Sequence, residues 1–224
     1  MAQEKRSVWL IIGMVFFGCL IMAIVDAVIV PSYTVKSIIK LALFLAFPLA
    51  YSLTRHRAPL RSLFRVQSRR NLTEPLFLGL AVYGVIIGGF LLGGQLIDWS
   101  AVSSSLQNSQ ENIFLMGAYI SLVNSLLEEF FFRGFAFLML KEIAGSKLAY
   151  LFSAGIFSLY HIAIMHSWFS PLVFVLMLIS LFFAGLLFNW LNERYQNLYA
   201  SWMVHMFANL AINTVGLLLI IDKL

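Results

Sequence analysis

Two adjacent carboxylates and a guanidinium, Glu128, Glu129 and Arg133, sit inside an otherwise apolar stretch, Leu126-Leu127-Glu128-Glu129-Phe130-Phe131-Phe132-Arg133-Gly134. An ionised side chain in the centre of a bilayer costs about 2.5–3.5 kcal/mol even on insertion scales, so this group needs partners or a purpose. On a helix, Glu129 and Arg133 are four apart and share a face, which suits an ion pair. Glu128 lies about 100° further round the helix. The spacing leaves it without that partner and makes it the candidate general base, a carboxylate able to take a proton from water. Taken alone, the same residues would also serve as a Glu–Arg pair that locks helix packing.

Two other apolar runs carry polar side chains away from their ends. One is Phe157-Ser158-Leu159-Tyr160-His161 and the other is His205-Met206-Phe207-Ala208-Asn209. His205 and Asn209 are four apart and share a helix face. Counted from the nearest polar boundary, Glu128 is about 20 Å before Lys141 and His161 about 21 Å after Lys147 at helical rise; His205 lies about 14 Å and Asn209 about 20 Å beyond Gln196. These depths match within a turn. A lone histidine in a span is usually a packed interhelical residue, but two at matched depth beside spare carboxylates point to one shared cavity. The expectation is that Glu128, His161, His205 and Asn209 lie within about 10 Å of one another.

The residue types narrow the chemistry. No serine has a nucleophile-elbow setting and Cys19 has no basic neighbour, so a covalent nucleophile is poorly supported. No His-Glu-x-x-His occurs, so the common zinc-protease helix is absent. Water activation remains. Glu128 would take a proton from water and later deliver it to a leaving amine. His161 and His205 either hold a divalent metal such as zinc through neutral imidazoles or position the water and stabilise the oxyanion. Asn209, an uncharged amide, suits orientation or oxyanion hydrogen bonding. Arg133 nearby disfavours a cation, which tilts the reading towards water activation without metal and leaves metal open.

The elements that must position these groups are membrane spans. Of 224 residues, 61% are hydrophobic and 11% charged, against about 45–50% and 25% in soluble domains; mean hydropathy is +0.90. The expected fold is an all-α polytopic membrane helix bundle of about seven transmembrane helices in a single domain. Residues 1–98 hold three spans without motifs (8–30, 35–53 and 75–97), and residues 112–221 hold the rest (112–143, 148–164, 171–191 and 198–221). The N-terminal apolar run is too long for a signal-peptide core and reads as a retained span. The run 112–143 is about 48 Å long as a helix, so it should kink or project, with Gly134 a candidate bend. Residues 98–111 form a polar linker, and the glycines of the third span (Gly79, Gly84, Gly88, Gly89, Gly93, Gly94) read as a packing face.

Basic residues set the orientation. With the N-terminus cytoplasmic, the inner ends hold Lys5, Arg6, Lys141, Lys147, Arg194 and a cluster of Arg55, Arg57, Arg61, Arg65, Arg69 and Arg70, while the outer ends hold only Lys36, Lys40 and Lys223. The arginine cluster, interleaved with Leu60, Leu63, Phe64 and Val66, is expected to rest on anionic lipid headgroups; no nucleic-acid partner is expected. His56 reads as part of that charged region, His166 as an interface residue, and Asp26 as a helix-end residue.

Glu-Glu-x-x-x-Arg-Gly, then Phe-x-x-x-His, then His-x-x-x-Asn, in that order on separate apolar helices, resembles the CPBP (Abi) intramembrane proteases. That family includes type II CAAX prenyl endopeptidases and bacteriocin-processing or immunity-associated proteins. The resemblance covers residues 126–209. It implies a multi-pass protease of a bacterial plasma membrane acting on a peptide or membrane-protein substrate. Glu128 would activate water, Glu129 and Arg133 would support it, His161 and His205 would complete the site, and Asn209 would stabilise the oxyanion. Other function classes fit less closely. A non-catalytic scaffold or bacteriocin self-immunity protein would keep the cluster for binding alone. A small ion- or proton-coupled transporter would use intramembrane Glu and His, but internal symmetry and paired broken helices are lacking.

Overall fold

A chain this apolar has no water in the bilayer core to satisfy its backbone, so each crossing must satisfy its own N–H and C=O groups as a helix. The computed structural model describes residues 2–55, 63–107 and 112–221. Among them there is no strand. Seven helices are long and apolar enough to cross a membrane: Ser7–Ile29, Tyr33–Leu53, Arg70–Leu96, Ile113–Ala144, Ser146–Met165, Pro171–Tyr195 and Tyr199–Ile221, here the first to seventh spans.

Local chemistry sets their ends. The first span closes on Val30, which takes a left-handed conformation (φ 45°) before Pro31. Asn112 caps the fourth by accepting from the backbone N–H of Phe114 and Leu115, both at 3.1 Å. Gly145, at φ 86°, allows the tight turn between the fourth and fifth spans. Pro171 opens the sixth in the first turn, where its missing N–H costs nothing. The third span begins at Arg70, earlier than the expected Pro75. Asn71 donates to the Tyr195 carbonyl (3.1 Å) and the Tyr195 hydroxyl donates to Glu74 (2.7 Å), which hold this added turn in place. The polar linker contains a short helix, Ser100–Gln107.

The fourth span is the hub. It widens into five-residue (π) turns over Ile120–Asn124 and Phe130–Phe137, the latter including Gly134. Widened turns divert backbone carbonyls, and neighbouring spans supply the donors. Asn209 donates to the Ile120 carbonyl (3.3 Å) and Trp202 to Leu122 (3.0 Å), and just before the widened turn Asn213 donates to Gly117 (3.1 Å), all from the seventh span. Ser153 of the fifth donates to the Phe132 carbonyl at 2.8 Å. Around this helix lies an aromatic core. Phe44 stacks on Phe131 (centroids 3.9 Å apart), and Phe132 meets Phe157 edge to face at 5.3 Å. Ile11, Val15 and Met22 of the first span close it on one side, Phe188 and Val204 on the other. Phe77, Val85, Leu91, Leu92 and Phe183 point outward, as lipid-facing side chains should.

Small residues let spans approach closely. A Cβ at Gly79 would fall 2.5 Å from the Phe207 ring, whereas Gly84, Gly88, Gly89 and Gly93 have nothing within 4 Å. The glycine-rich third span is thus a close-packing face at Gly79 rather than along its length. Gly185 is tighter in kind, since a Cβ there would sit 2.9 Å from the Ala154 Cα, a backbone atom that cannot swing aside. Gly185→Val should cost about 1–3 kcal/mol by overpacking. Gly155→Ala, in open space, should be neutral or raise stability by up to about 1 kcal/mol through helix propensity. Melting temperatures of the two variants in detergent check this; equal shifts would refute the packing assignment.

Candidate active site

Glu128 and Asn124 lie one turn apart on the fourth span, and Asn124 Nδ2 donates to Glu128 Oε1 at 3.0 Å. The same oxygen accepts from Lys40 Nζ of the second span at 2.6 Å, and Lys40 also donates to Asn124 Oδ1 at 2.6 Å. Both ions are buried, Lys40 at 6% and Glu128 at 3% exposure. The rings of Tyr160 and Phe44 stand 5.0 and 5.4 Å from the ammonium, close enough for cation–π attraction. The spacing denies Glu128 the Arg133 partner, as expected, but does not leave it without a cation. Its counter-charge comes from a different span, beyond the reach of helix spacing.

The local prediction for its neighbour holds. Arg133 Nη1 is 3.2 Å from Glu129 Oε1, with both side chains fully buried. The guanidinium lies over Phe157 (4.2 Å from the centroid) and Phe188 (4.9 Å), so ring faces share the work of compensating the charge. Glu129 Oε1 also meets His205 Nδ1 at 2.9 Å. A carboxylate accepts, so Nδ1 carries the proton and donates, and Nε2 turns toward Glu128 Oε2 at 3.7 Å. Phe188 stacks on the imidazole at 5.1 Å and fixes its plane.

His161, half-buried at the end of the Ser146–Tyr160 helix, donates Nδ1–H to the Phe157 carbonyl at 2.8 Å, which leaves the Nε2 lone pair available. Phe157 joins the two histidines, its ring lying 4.8 Å from His161 and 5.8 Å from His205. His161 is also within electrostatic reach of Glu128. Asn209 points its amide at the Ile120 carbonyl, two turns before Glu128 on the fourth span. One donor of Asn209 is thereby committed to the backbone. Glu128, Glu129, Arg133 and His205 form one contact network; His161 adjoins it through Phe157, and Asn209 borders it. His166 is exposed and its ring meets the local Ala163 carbonyl (3.1 Å). Asp26 is no simple helix-end residue: its buried carboxylate pairs with Lys36 at 2.6 Å. His56 lies outside the described residues, as do Arg57 and Arg61.

The donor set does not suit a divalent metal. Among the described residues no group of three or more His, Cys, Asp or Glu side chains is placed to hold one. His161 and His205, the two potential ligands, stand beside two resident cations, Lys40 and Arg133, that already answer the two carboxylates. The arrangement suits proton transfer instead: an ionised carboxylate with one oxygen anchored and the other facing an imidazole.

Beside this cluster a cleft of about 350 Å³ opens between the second and fourth spans. Leu41, Leu45 and Leu49 of the second span and Val123, Leu126, Leu127 and Phe130 of the fourth line it, together with Phe64. Its walls are apolar, and both helices that form it also carry the Lys40–Glu128 pair.

Sequence reasoning missed Lys40 and Asn124. A signal existed for Lys40. The motif contains two carboxylates and one arginine, so one negative charge needs a cation from elsewhere, and Lys40 lies five residues inside the expected second span, 35–53.

Comparison with known proteins bears on the same stretch. No curated protein and no solved structure matches the chain. Residues 110–211 match the family described as type II CAAX prenyl endopeptidase Rce1-like. The match spans the fourth to seventh spans up to Ala211 and takes in Glu128, Glu129, Arg133, His161, His205 and Asn209. This agrees with the CPBP resemblance carried by the three motifs: over residues 110–211, the motif-bearing part of this integral membrane protein, the chain is similar to the Rce1-like type II CAAX prenyl endopeptidases.

Proposed function

We propose that this protein is an intramembrane endopeptidase that hydrolyses a peptide bond with water activated by Glu128. The observation that carries the reading is the asymmetric setting of that buried carboxylate. Oε1 is held by Lys40 and Asn124, while Oε2 faces His205. In this reading Oε2 takes a proton as the water oxygen bonds to the scissile carbonyl carbon. The carbonyl π pair moves onto oxygen, and the proton then passes to the amine as the C–N bond breaks. Glu129 holds the His205 ring, Arg133 holds Glu129, and His161 Nε2 is free to accept from the same water. The remaining N–H of Asn209 is the candidate oxyanion donor.

The apolar cleft beside Glu128 suits a substrate with a lipid-like or strongly apolar segment, entering from between the second and fourth spans. A prenylated C-terminal peptide has that character, and so does a hydrophobic peptide precursor. The basic cluster at residues 55–70 would hold the cytoplasmic end against anionic headgroups, each cation contributing about 1 kcal/mol.

The test is to incubate purified protein in lipid nanodiscs with a farnesylated CAAX peptide and an unmodified hydrophobic peptide, then read products by mass spectrometry. Cleavage by the wild type and loss with Glu128→Gln supports the reading. Intact peptides throughout, or equal cleavage by both proteins, overturns it. Because cations already fill the site, cleavage should survive 1,10-phenanthroline within about twofold, a chelator that strips catalytic zinc. Loss of activity restored by added zinc would overturn metal-free water activation.

A further inference from the structure

We propose that Lys40 is a positioning residue of the hydrolytic site: with Asn124 it clamps Glu128 Oε1, so that Oε2 is the oxygen presented to water. This rests on the peptidase reading above. A free carboxylate rotates and offers either oxygen, whereas displacement of a reacting group by about 1 Å can cost a hundredfold in rate. Here Oε1 has two donors, Lys40 Nζ at 2.6 Å and Asn124 Nδ2 at 3.0 Å, and Oε2 is left toward His205 Nε2.

The clamp has little slack. Lys40 spends a further N–H on Asn124 Oδ1, and its ammonium is bracketed by the Tyr160 and Phe44 rings. The helix that carries it, Tyr33–Leu41, is pinned one turn earlier by Lys36 on the buried Asp26 carboxylate. Two ion pairs on one helix face thus fix the second span against the first and the fourth. Charge supports the same assignment. Two neighbouring carboxylates can stay ionised in an apolar place only if each has its own cation, and Arg133 is taken by Glu129. Lys40 supplies the other.

The rival view is that the Lys40–Glu128 pair merely staples two helices. The full-length wild type, Lys40→Met, Lys40→Arg, Asn124→Ala, Glu128→Gln and the Lys40→Met/Glu128→Gln double variant distinguish the two. Each is measured for melting temperature and for kcat and KM on a peptide that the wild type cleaves. Lys40→Met keeps the chain length and loses the charge. It should lower kcat by about a hundredfold with KM within about threefold of wild type, since the loss falls on the chemical step. Lys40→Arg should recover part of that rate. In the Glu128→Gln background Lys40→Met should cost nothing further, because it acts through a group already removed. A kcat within about threefold of wild type, a loss carried wholly by KM, or additive effects in the double variant would overturn the assignment. If Lys40→Met does not fold, Asn124→Ala decides, for it removes one clamp donor and no charge: an unchanged kcat sinks the clamp. A wild type that cleaves nothing, or an active Glu128→Gln, instead removes the peptidase reading and the clamp with it. An inactive Glu128→Gln beside an active Lys40→Met removes the clamp alone.

Discussion

Glu128→Gln is expected to lower peptide cleavage by at least about a hundredfold, the low end of what a general base contributes. It should also lower stability, which helix spacing alone would not suggest. Gln keeps an acceptor for Lys40 but not its counter-charge, and the ammonium is 6% exposed. The loss should be about 1.5–3 kcal/mol, the range for a hydrogen bond to a charged group. Adding Lys40→Met to Glu128→Gln removes the stranded ammonium, so the melting temperature should recover while activity stays at the Glu128→Gln level. Thermal melts in detergent beside cleavage assays on the three proteins give the answer. A Glu128→Gln protein as stable as wild type would mean that the Lys40 pair contributes nothing to the fold, and an active one would take Glu128 out of the mechanism.

The second large effect belongs to Arg133. Arg133→Ala leaves Glu129 buried without its cation, and losing one partner of a fully buried pair typically costs about 3–5 kcal/mol. It also removes the plane that rests on Phe157 and Phe188. Arg133→Lys should not restore the protein fully, because a point ammonium cannot reproduce a flat guanidinium laid between two rings. Glu129→Ala should lose comparable stability and, in addition, release the His205 ring whose Nδ1 it holds. The double variant should be milder than the sum, since the two groups interact. Denaturation midpoints for the four variants check the set; a stable Glu129→Ala, or strictly additive losses, would remove the ion pair from the account.

Much of this was legible in the residues because it is local. An apolar run of about 20 residues can satisfy its backbone in lipid only as a helix, so seven runs read as seven spans. Glu129 and Arg133 pair because the i,i+4 rule operates within one helix and needs no knowledge of the rest of the chain. His205 was expected in the same site as the carboxylates, and depth counted along separate helices sufficed for that, since equal rise places residues in one layer.

Depth does not give azimuth, and there the tertiary structure decided. Two residues in one layer can face each other or face opposite lipid surfaces, and only helix packing chooses. Lys40 read as an outer-end charge until the second span packed against the fourth and turned its ammonium onto Glu128. Asn209 read as an oxyanion donor, but one of its N–H groups goes to the Ile120 carbonyl, which in the widened turn also accepts the Ser125 backbone N–H. The glycines of the third span look alike in sequence, yet only Gly79 lies close against another span, the Phe207 ring of the seventh. Composition and spacing determined which groups lie at what depth. Which of them touch was settled by the rotation of each helix about its own axis, which in an apolar bilayer follows from small-residue packing and ion pairing between spans.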